Sequence, residues 1–205
     1  MNGDPYRRCG LARNPFIVEA TPGVDPSLFL DRGFPPAPAS GARRFVQIIG
    51  ERGAGKTTLI LHWRRQLAGP YRHVAPGLPR FLPVPLARGI VYWDEADRIP
   101  SLILHASLRI AWLRGATIVA GTHVDLSASA RGAGFSVETF AFSALTADDV
   151  MRWSAARIAG VATSPETLSL APDDARIFAE RSGSSWRVAG DLLHAWAAAG
   201  VQEFR

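Results

Sequence analysis

The chain has 205 residues, 47% of them apolar, with 23 Lys+Arg against 18 Asp+Glu and a formal net charge of +5. That length suits one compact domain, or one domain with a small appendage, and supplies ample apolar material for a core. The single cysteine, Cys9, excludes an internal disulfide framework and a cysteine-rich zinc site, and no stretch approaches the roughly 20 apolar residues that cross a bilayer. The N-terminal "MNGDPYRRCGLARNP" lacks the apolar run of a secretory signal, so the expected setting is cytoplasmic, with no membrane partner. The basic residues are arginines except for Lys56, the one lysine in the chain. An arginine-rich surface fits a nucleic-acid partner, while GC-rich codon usage with ordinary solvated faces gives the same composition.

In chain order, residues 1–43 read as an extended arm. The stretch 14–42 has too many prolines for a helix or a central strand, and Phe16, Val18, Phe29, Leu30 and Phe34 are its expected anchors. "RFVQIIG" reads as a short buried strand ending at glycine, and "KTTLILHWRRQLAG" as a helix with a Gly-Pro stop. "YRHVAP" is a short strand candidate, followed by the proline-rich "PGLPRFLPVPLARG". "IVYWDEA" is a buried-type strand with acids at its carboxyl end, "SLILHASLRIAWLRG" a helix, "ATIVAGTH" a second buried strand, "VDLSASARGAG" a loop or short helix, and "FSVETFAF" a further strand. This alternation predicts a parallel sheet covered on both faces. After Phe142 the strands stop. "TADDVMRWSAARIAG", with a Thr cap and an acidic first turn, "PDDARIFAERSG" and "SSWRVAGDLLHAWAAAG" predict three amphipathic helices. The fold class read from this pattern is α/β. It has a three-layer core with a parallel sheet over residues 44–143, and a small all-α C-terminal lid over residues 144–205.

Gly50, Gly55, Lys56 and Thr57 fit G-x-x-x-x-G-K-[ST], with Gly53 in addition; Ala54 and Thr58 complete the loop. Glycines let the backbone wrap a phosphate chain, and the helix that starts there adds the positive end of its dipole. Lys56 is placed to reach the β- and γ-phosphates of a nucleotide, and Thr57 to offer its hydroxyl to Mg²⁺. At the carboxyl end of the next buried strand, Asp94 is the candidate holder of the magnesium hydration shell. Glu95 is the candidate general base that polarises a water. Trp93 reads as core filler rather than a base-stacking group. The letters "DEAD" do not make an RNA helicase, because a second recombinase-like domain does not fit in this length and "AGTH" lacks a Ser-Ala-Thr motif. Thr122, with His123 as substitute, is the candidate γ-phosphate sensor at the tip of the neighbouring strand.

These four features together resemble the AAA+ ATPase superfamily. The resemblance implies that Arg187, in "RSGSSWRVAGDLL", acts as the second sensor reaching from the lid to the γ-phosphate. It also implies that the arm carries an adenine-embracing segment at Asn14, Pro15, Phe16 and Arg32. Arg131, then Arg114, are the candidates for a finger completing a neighbouring subunit's site. Where the family has a full helix before its Asp-Glu strand, this chain has only "APGLPRFLPVPLARG", so polypeptide threading is not expected. The implied function is a Mg²⁺-dependent ATPase acting as a regulator or assembly ATPase for a protein client, with a homo-oligomer and DNA as further candidate partners. A slow-turnover ATP switch or adaptor is the alternative. A small-molecule kinase is a third reading, disfavoured because the Asp-Glu pair points to water as acceptor.

Overall fold

Parallel strands need crossover connections, and the chain supplies one between each pair. The computed structural model describes residues 5–17, 29–164 and 168–199; Val18, among the expected arm anchors, lies outside the described residues. Two compact units divide the chain, Phe34–Phe142 on the one hand and Met1–Gly33 with Ser143–Arg205 on the other.

In Phe34–Phe142, strands β1 (Arg44–Ile49), β2 (Tyr71–His73), β3 (Ile90–Asp94), β4 (Thr117–Thr122) and β5 (Ser136–Ala141) form one all-parallel sheet in the order β2-β3-β4-β1-β5. β3 and β4 are buried along their whole length, which is why they read as unbroken apolar runs, whereas β5 at the sheet edge alternates between half-buried and exposed. Leu104, Leu108 and Ala111 of α3 (Ser101–Leu113) and Ala130 of α4 (Ser127–Gly132) share a core with Phe45, Trp93 and Ile118. Trp93 is fully buried there, its indole donating to Pro85 O at 3.0 Å. Leu59, Ile60 and Trp63 are the buried side of α2 (Lys56–Gln66), and the Trp63 ring meets Phe140 edge-on at 6.1 Å.

The proline-rich passage between β2 and β3 forms a single 3-10 turn at Leu78–Phe81. Prolines supply carbonyls but no N–H groups, so beyond the turn bonds from Arg80 N to Gly77 O and Leu82 N to Pro79 O an outside group must donate to its carbonyls. Arg72 does this from β2, donating to Pro79 O at 2.5 Å, Leu82 O at 2.7 Å and Pro83 O.

In the other unit, α5 (Ala147–Ala159), α6 (Pro172–Ser182) and α7 (Trp186–Ala198) are the three expected helices. Thr146 opens α5 with a full capping box, its hydroxyl accepting from Asp149 N while the Asp149 carboxylate accepts from Thr146 N. The arm departs from a wholly extended reading at α1 (Pro5–Arg8), one helical turn whose Tyr6 is buried in the same cluster as Trp153, Phe178 and Trp196. Proline at the first helical position lacks an N–H that would be left over there in any case. Leu11 then forms an antiparallel bridge with Ala162.

Candidate functional site

The loop after β1 turns on Gly53 and Gly55, with φ of 90° and 102°, the left-handed region that a Cβ disfavours. Ala54 between them is fully buried. Gly55 caps α2 with no side-chain hydrogen bond, so no side chain competes for the N–H groups of the helix's first turn. Lys56 is buried and folds its ammonium onto the loop, donating to Gly50 O at 2.7 Å and Glu51 O at 3.0 Å. Burial lowers its pKa from the ordinary lysine value, while the charges of Glu95, Asp94 and Asp97 pull the other way. Thr58 is half-buried one residue beyond Thr57.

Asp94 has no exposed surface. Its Oδ2 accepts from Thr57 Oγ1 at 2.8 Å and Tyr71 O–H at 3.1 Å, and lies 3.1 Å from His73 Nδ1. Its Oδ1 is buried without a hydrogen-bond partner. Burial first, then the charge of Asp94 and the hydrogen bond to it, raise the pKa of Tyr71 above the ordinary tyrosine value. Gly121 of β4 makes room for this carboxylate, since a Cβ there would stand 2.8 Å from Asp94 Oδ1.

Glu95 follows in the left-handed region at φ 59° and starts the 3-10 turn Ala96–Arg98. Its Oε2 lies 3.0 Å from the Arg98 guanidinium and 3.3 Å from His123 Nδ1, ion-pair distances without aligned hydrogen bonds. His123 also lies 3.3 Å from Asp97 Oδ2, and its backbone N–H donates to Asp97 Oδ1 at 3.2 Å. Thr122 is buried, and its hydroxyl donates to Val124 O at 2.8 Å and accepts from Val124 N at 3.2 Å. A threonine at a strand end makes such a local turn readily, so the side chain that meets Glu95 from this strand is His123.

The loop residues, Asp94, Glu95 and Thr122 thus gather at the carboxyl edge of one sheet. Arg114 caps α3 and donates to Leu86 O, and Arg131 stands in the last turn of α4, both where the chain returns to the strand starts at the opposite edge. The remaining predicted positions belong to the other compact unit. There Asn14 Oδ1 accepts from Phe16 N at 2.8 Å, Pro15 is buried, and the buried Phe16 ring lies 6.0 Å from Trp153. Arg32 donates to Asp149 Oδ2 at 3.0 Å and to Ala144 O at 2.8 Å, tying the arm to the start of α5. Arg187 is exposed in the first turn of α7. Sequence reasoning missed Tyr71, His73, Gly121, Asp97 and Arg98. The signal for the first two was their two-residue spacing on a short strand, but only the register of β2 on β3, with His73 opposite Asp94, gives it meaning.

Among solved structures, RuvB of Thermotoga maritima, a Holliday junction branch migration motor, superposes with a TM-score of 0.51 at 16% identity, over 72% of this chain and 52% of its own. A single-substitution variant of the same RuvB gives 0.51 at 18% identity with the same coverage. The chain has the α/β P-loop fold of these structures, built on an all-parallel sheet. It spans about half the length of those RuvB chains (52%), and the likeness is one of fold. Cdc6p of Pyrobaculum aerophilum overlaps 78% of this chain and 56% of its own, with a TM-score of 0.49 at 17% identity. No protein-family model matches the chain, and no curated protein matches it.

Proposed function

We propose that the chain binds ATP with Mg²⁺ and hydrolyses it, acting as a nucleotide-dependent regulator or assembly ATPase on a protein client, in a homo-oligomer and in the cytoplasm, with DNA among its partners. The observation that carries this reading is the pairing of Thr57 with a wholly buried Asp94 whose second oxygen lacks a partner. An orphaned carboxylate oxygen beside a hydroxyl is an oxygen donor set that suits a hard divalent cation, so Mg²⁺ fits these residues. When bound, it would supply positive charge to the phosphate oxygens.

Lys56 would exchange the carbonyls of Gly50 and Glu51 for phosphate oxygens, a stronger charge-assisted bond. Gly50, Gly53, Ala54, Gly55 and Thr58 shape the backbone around the phosphate chain. Glu95 would accept a proton from water, and Thr122 with His123 would report the γ-phosphate from the neighbouring strand. By the family resemblance Arg187 would serve as second sensor, Asn14, Pro15 and Phe16 as the adenine-embracing segment, and Arg131 as the finger offered to a neighbour. Among the described residues no helix is long and apolar enough to cross a membrane.

The test is phosphate release by the purified chain with and without Mg²⁺, alongside fluorescent-ATP titration. Glu95→Gln should cut release by about 100-fold or more, in the range of lost general-base catalysis, with ATP affinity kept. Equal release by parent and variant removes Glu95 from the mechanism, and absence of Mg·ATP binding removes the reading altogether. A slow-turnover switch is the second reading, favoured by Arg98 and His123 at Glu95 Oε2, because a carboxylate held between two partners is less free to turn toward a water. Its signature is tight Mg·ATP binding with negligible release.

A further inference from the structure

The charges of this chain are sorted by position in the fold. Between Phe34 and Phe142 there are 13 Lys+Arg against 6 Asp+Glu, whereas the rest of the chain has 10 against 12. Within that unit, Glu51, Asp94, Glu95, Asp97 and Asp125 all follow strand ends, on the carboxyl edge, where they outnumber Arg52, Lys56 and Arg98. The sixth acid, Glu138, is paired with Arg44.

At the opposite edge the sign is reversed. Arg43 immediately precedes β1, Arg88 precedes β3, Arg109 lies in the C-terminal half of α3, Arg114 caps that helix before β4, and Arg131 lies in the last turn of α4 before β5. All five are exposed. The group is built as well as clustered. The Arg43 and Arg109 guanidinium carbons lie 4.7 Å and 5.5 Å from the centroid of the Trp112 ring. The indole is pinned by donation from its Nε1 to Gly134 O at 2.9 Å. Arg43 Nε donates to Trp112 O at 3.3 Å, and Arg114 is anchored on Leu86 O. Guanidinium groups held in place lose less entropy when they bind, and their planar fork matches phosphate oxygens.

We propose that this amino-edge arginine face, centred on Trp112, binds the phosphate backbone of duplex DNA, at the end of the sheet opposite the nucleotide loop. Duplex is favoured over single strand by the state of Trp112. Single-strand binders stack bases on open aromatic faces, and here the half-buried indole is flanked by two guanidiniums and fixed by its own hydrogen bond. Phosphate contacts of this kind position a protein without reading sequence. The inference deepens the DNA part of the proposed function and is independent of hydrolysis, so its test needs no nucleotide.

The experiment is fluorescence anisotropy of the full chain with a labelled duplex of arbitrary sequence and with a single strand of equal length, over a salt series. Each phosphate contact contributes about 0.9 to the slope of log K against log salt. The triple variant Arg43→Ala, Arg88→Ala, Arg109→Ala should flatten that slope by roughly 2 to 3 units and weaken binding at low salt by about 10-fold or more. Arg7→Ala, Arg176→Ala, Arg181→Ala makes the same change in net charge on exposed arginines of the other unit and should stay within about twofold of parent. If the first triple unfolds, Arg88→Ala alone should flatten the slope by about 1 unit, and the Lys triple at the same three sites should keep the parental slope. No duplex binding at low salt, equal losses in both triples, or tighter binding of the single strand overturns the proposal. So does a change of oligomeric state in the first triple with DNA affinity unchanged, which would make this face a protein interface. Failure of ATP hydrolysis in the separate phosphate-release assay leaves this result standing, so the two readings fail independently.

Discussion

Replacing Gly121 by alanine tests whether the site's carboxylate is confined as the structure shows. The added methyl would stand 2.8 Å from Asp94 Oδ1 and 2.9 Å from Ile60 Cδ1, well inside the 3.4 Å at which ordinary contact begins. Ile60 can turn its terminal methyl away. Asp94 cannot, because moving Oδ1 also swings Oδ2 out of its bonds with Thr57 and Tyr71 and away from His73. Overpacking of this kind costs about 1–3 kcal/mol. For a chain of this length each kcal/mol lowers Tm by about 2–4 °C, so a drop of roughly 2–12 °C is expected. The displaced carboxylate should also weaken Mg²⁺-dependent ATP affinity by about 10-fold, the equivalent of about 1.4 kcal/mol. The assays are a thermal melt and a fluorescent-ATP titration with and without Mg²⁺. Gly132→Ala is the control. Nothing lies within 4 Å of a Cβ there, and a helical glycine exchanged for alanine gains up to about 1 kcal/mol. If Gly121→Ala melts with the parent and binds Mg·ATP equally well, Asp94 is not confined and the argument for its role as a preformed ligand falls.

Two further outcomes follow from hydrogen bonds elsewhere in the chain. Donation from the Ser127 hydroxyl, the Gln47 amide and the Ser127 backbone N–H brings the Asp125 pKa down to about 2 from 3.8. A carboxylate depressed on folding stabilises fully above its unfolded value and loses that contribution as pH falls through its folded value. The stability gap between parent and Asp125→Ala, read by urea denaturation, should therefore be constant above pH 5 and close between about pH 4 and pH 2; a gap unchanged at pH 2 contradicts the assignment. Thr146→Ala removes the α5 cap and should cost about 1 kcal/mol, with Thr146→Ser close to parent in the same denaturation assay; equal stability of the two variants would show that the cap contributes nothing.

The features legible in the sequence are those set by local physics. Burial on both faces demands unbroken apolar runs, which marked β3 and β4. A phosphate-wrapping loop demands glycines at fixed offsets, which marked Gly53 and Gly55. A threonine before an acidic turn marked the start of α5. The features that stayed hidden depend on register between distant segments. Tyr71 and His73 matter because β2 pairs with β3 so that His73 sits opposite Asp94, and Gly121 matters because β4 passes beneath the same carboxylate. Nothing in its own segment marks Arg72; its role comes from the carbonyls of Pro79, Leu82 and Pro83 that the fold places around it.

The arginine face shows a third case, hidden in the sequence and yet recoverable from it. Arg43, Arg88, Arg109, Arg114 and Arg131 are spread over almost ninety residues, and no window of the sequence contains them as a basic cluster. An all-parallel sheet sorts residues by their position relative to strand starts and ends, not by their separation along the chain. Residues just before a strand share one edge, and residues just after a strand share the other. Once the strands were recognised as parallel, arginines before their starts and acids after their ends already implied two edges of opposite sign. Summing charge along the chain averages that segregation away; summing it by strand end exposes it. The same rule explains why a phosphate loop and an Asp-Glu pair more than thirty residues apart meet at one edge, since each immediately follows a strand.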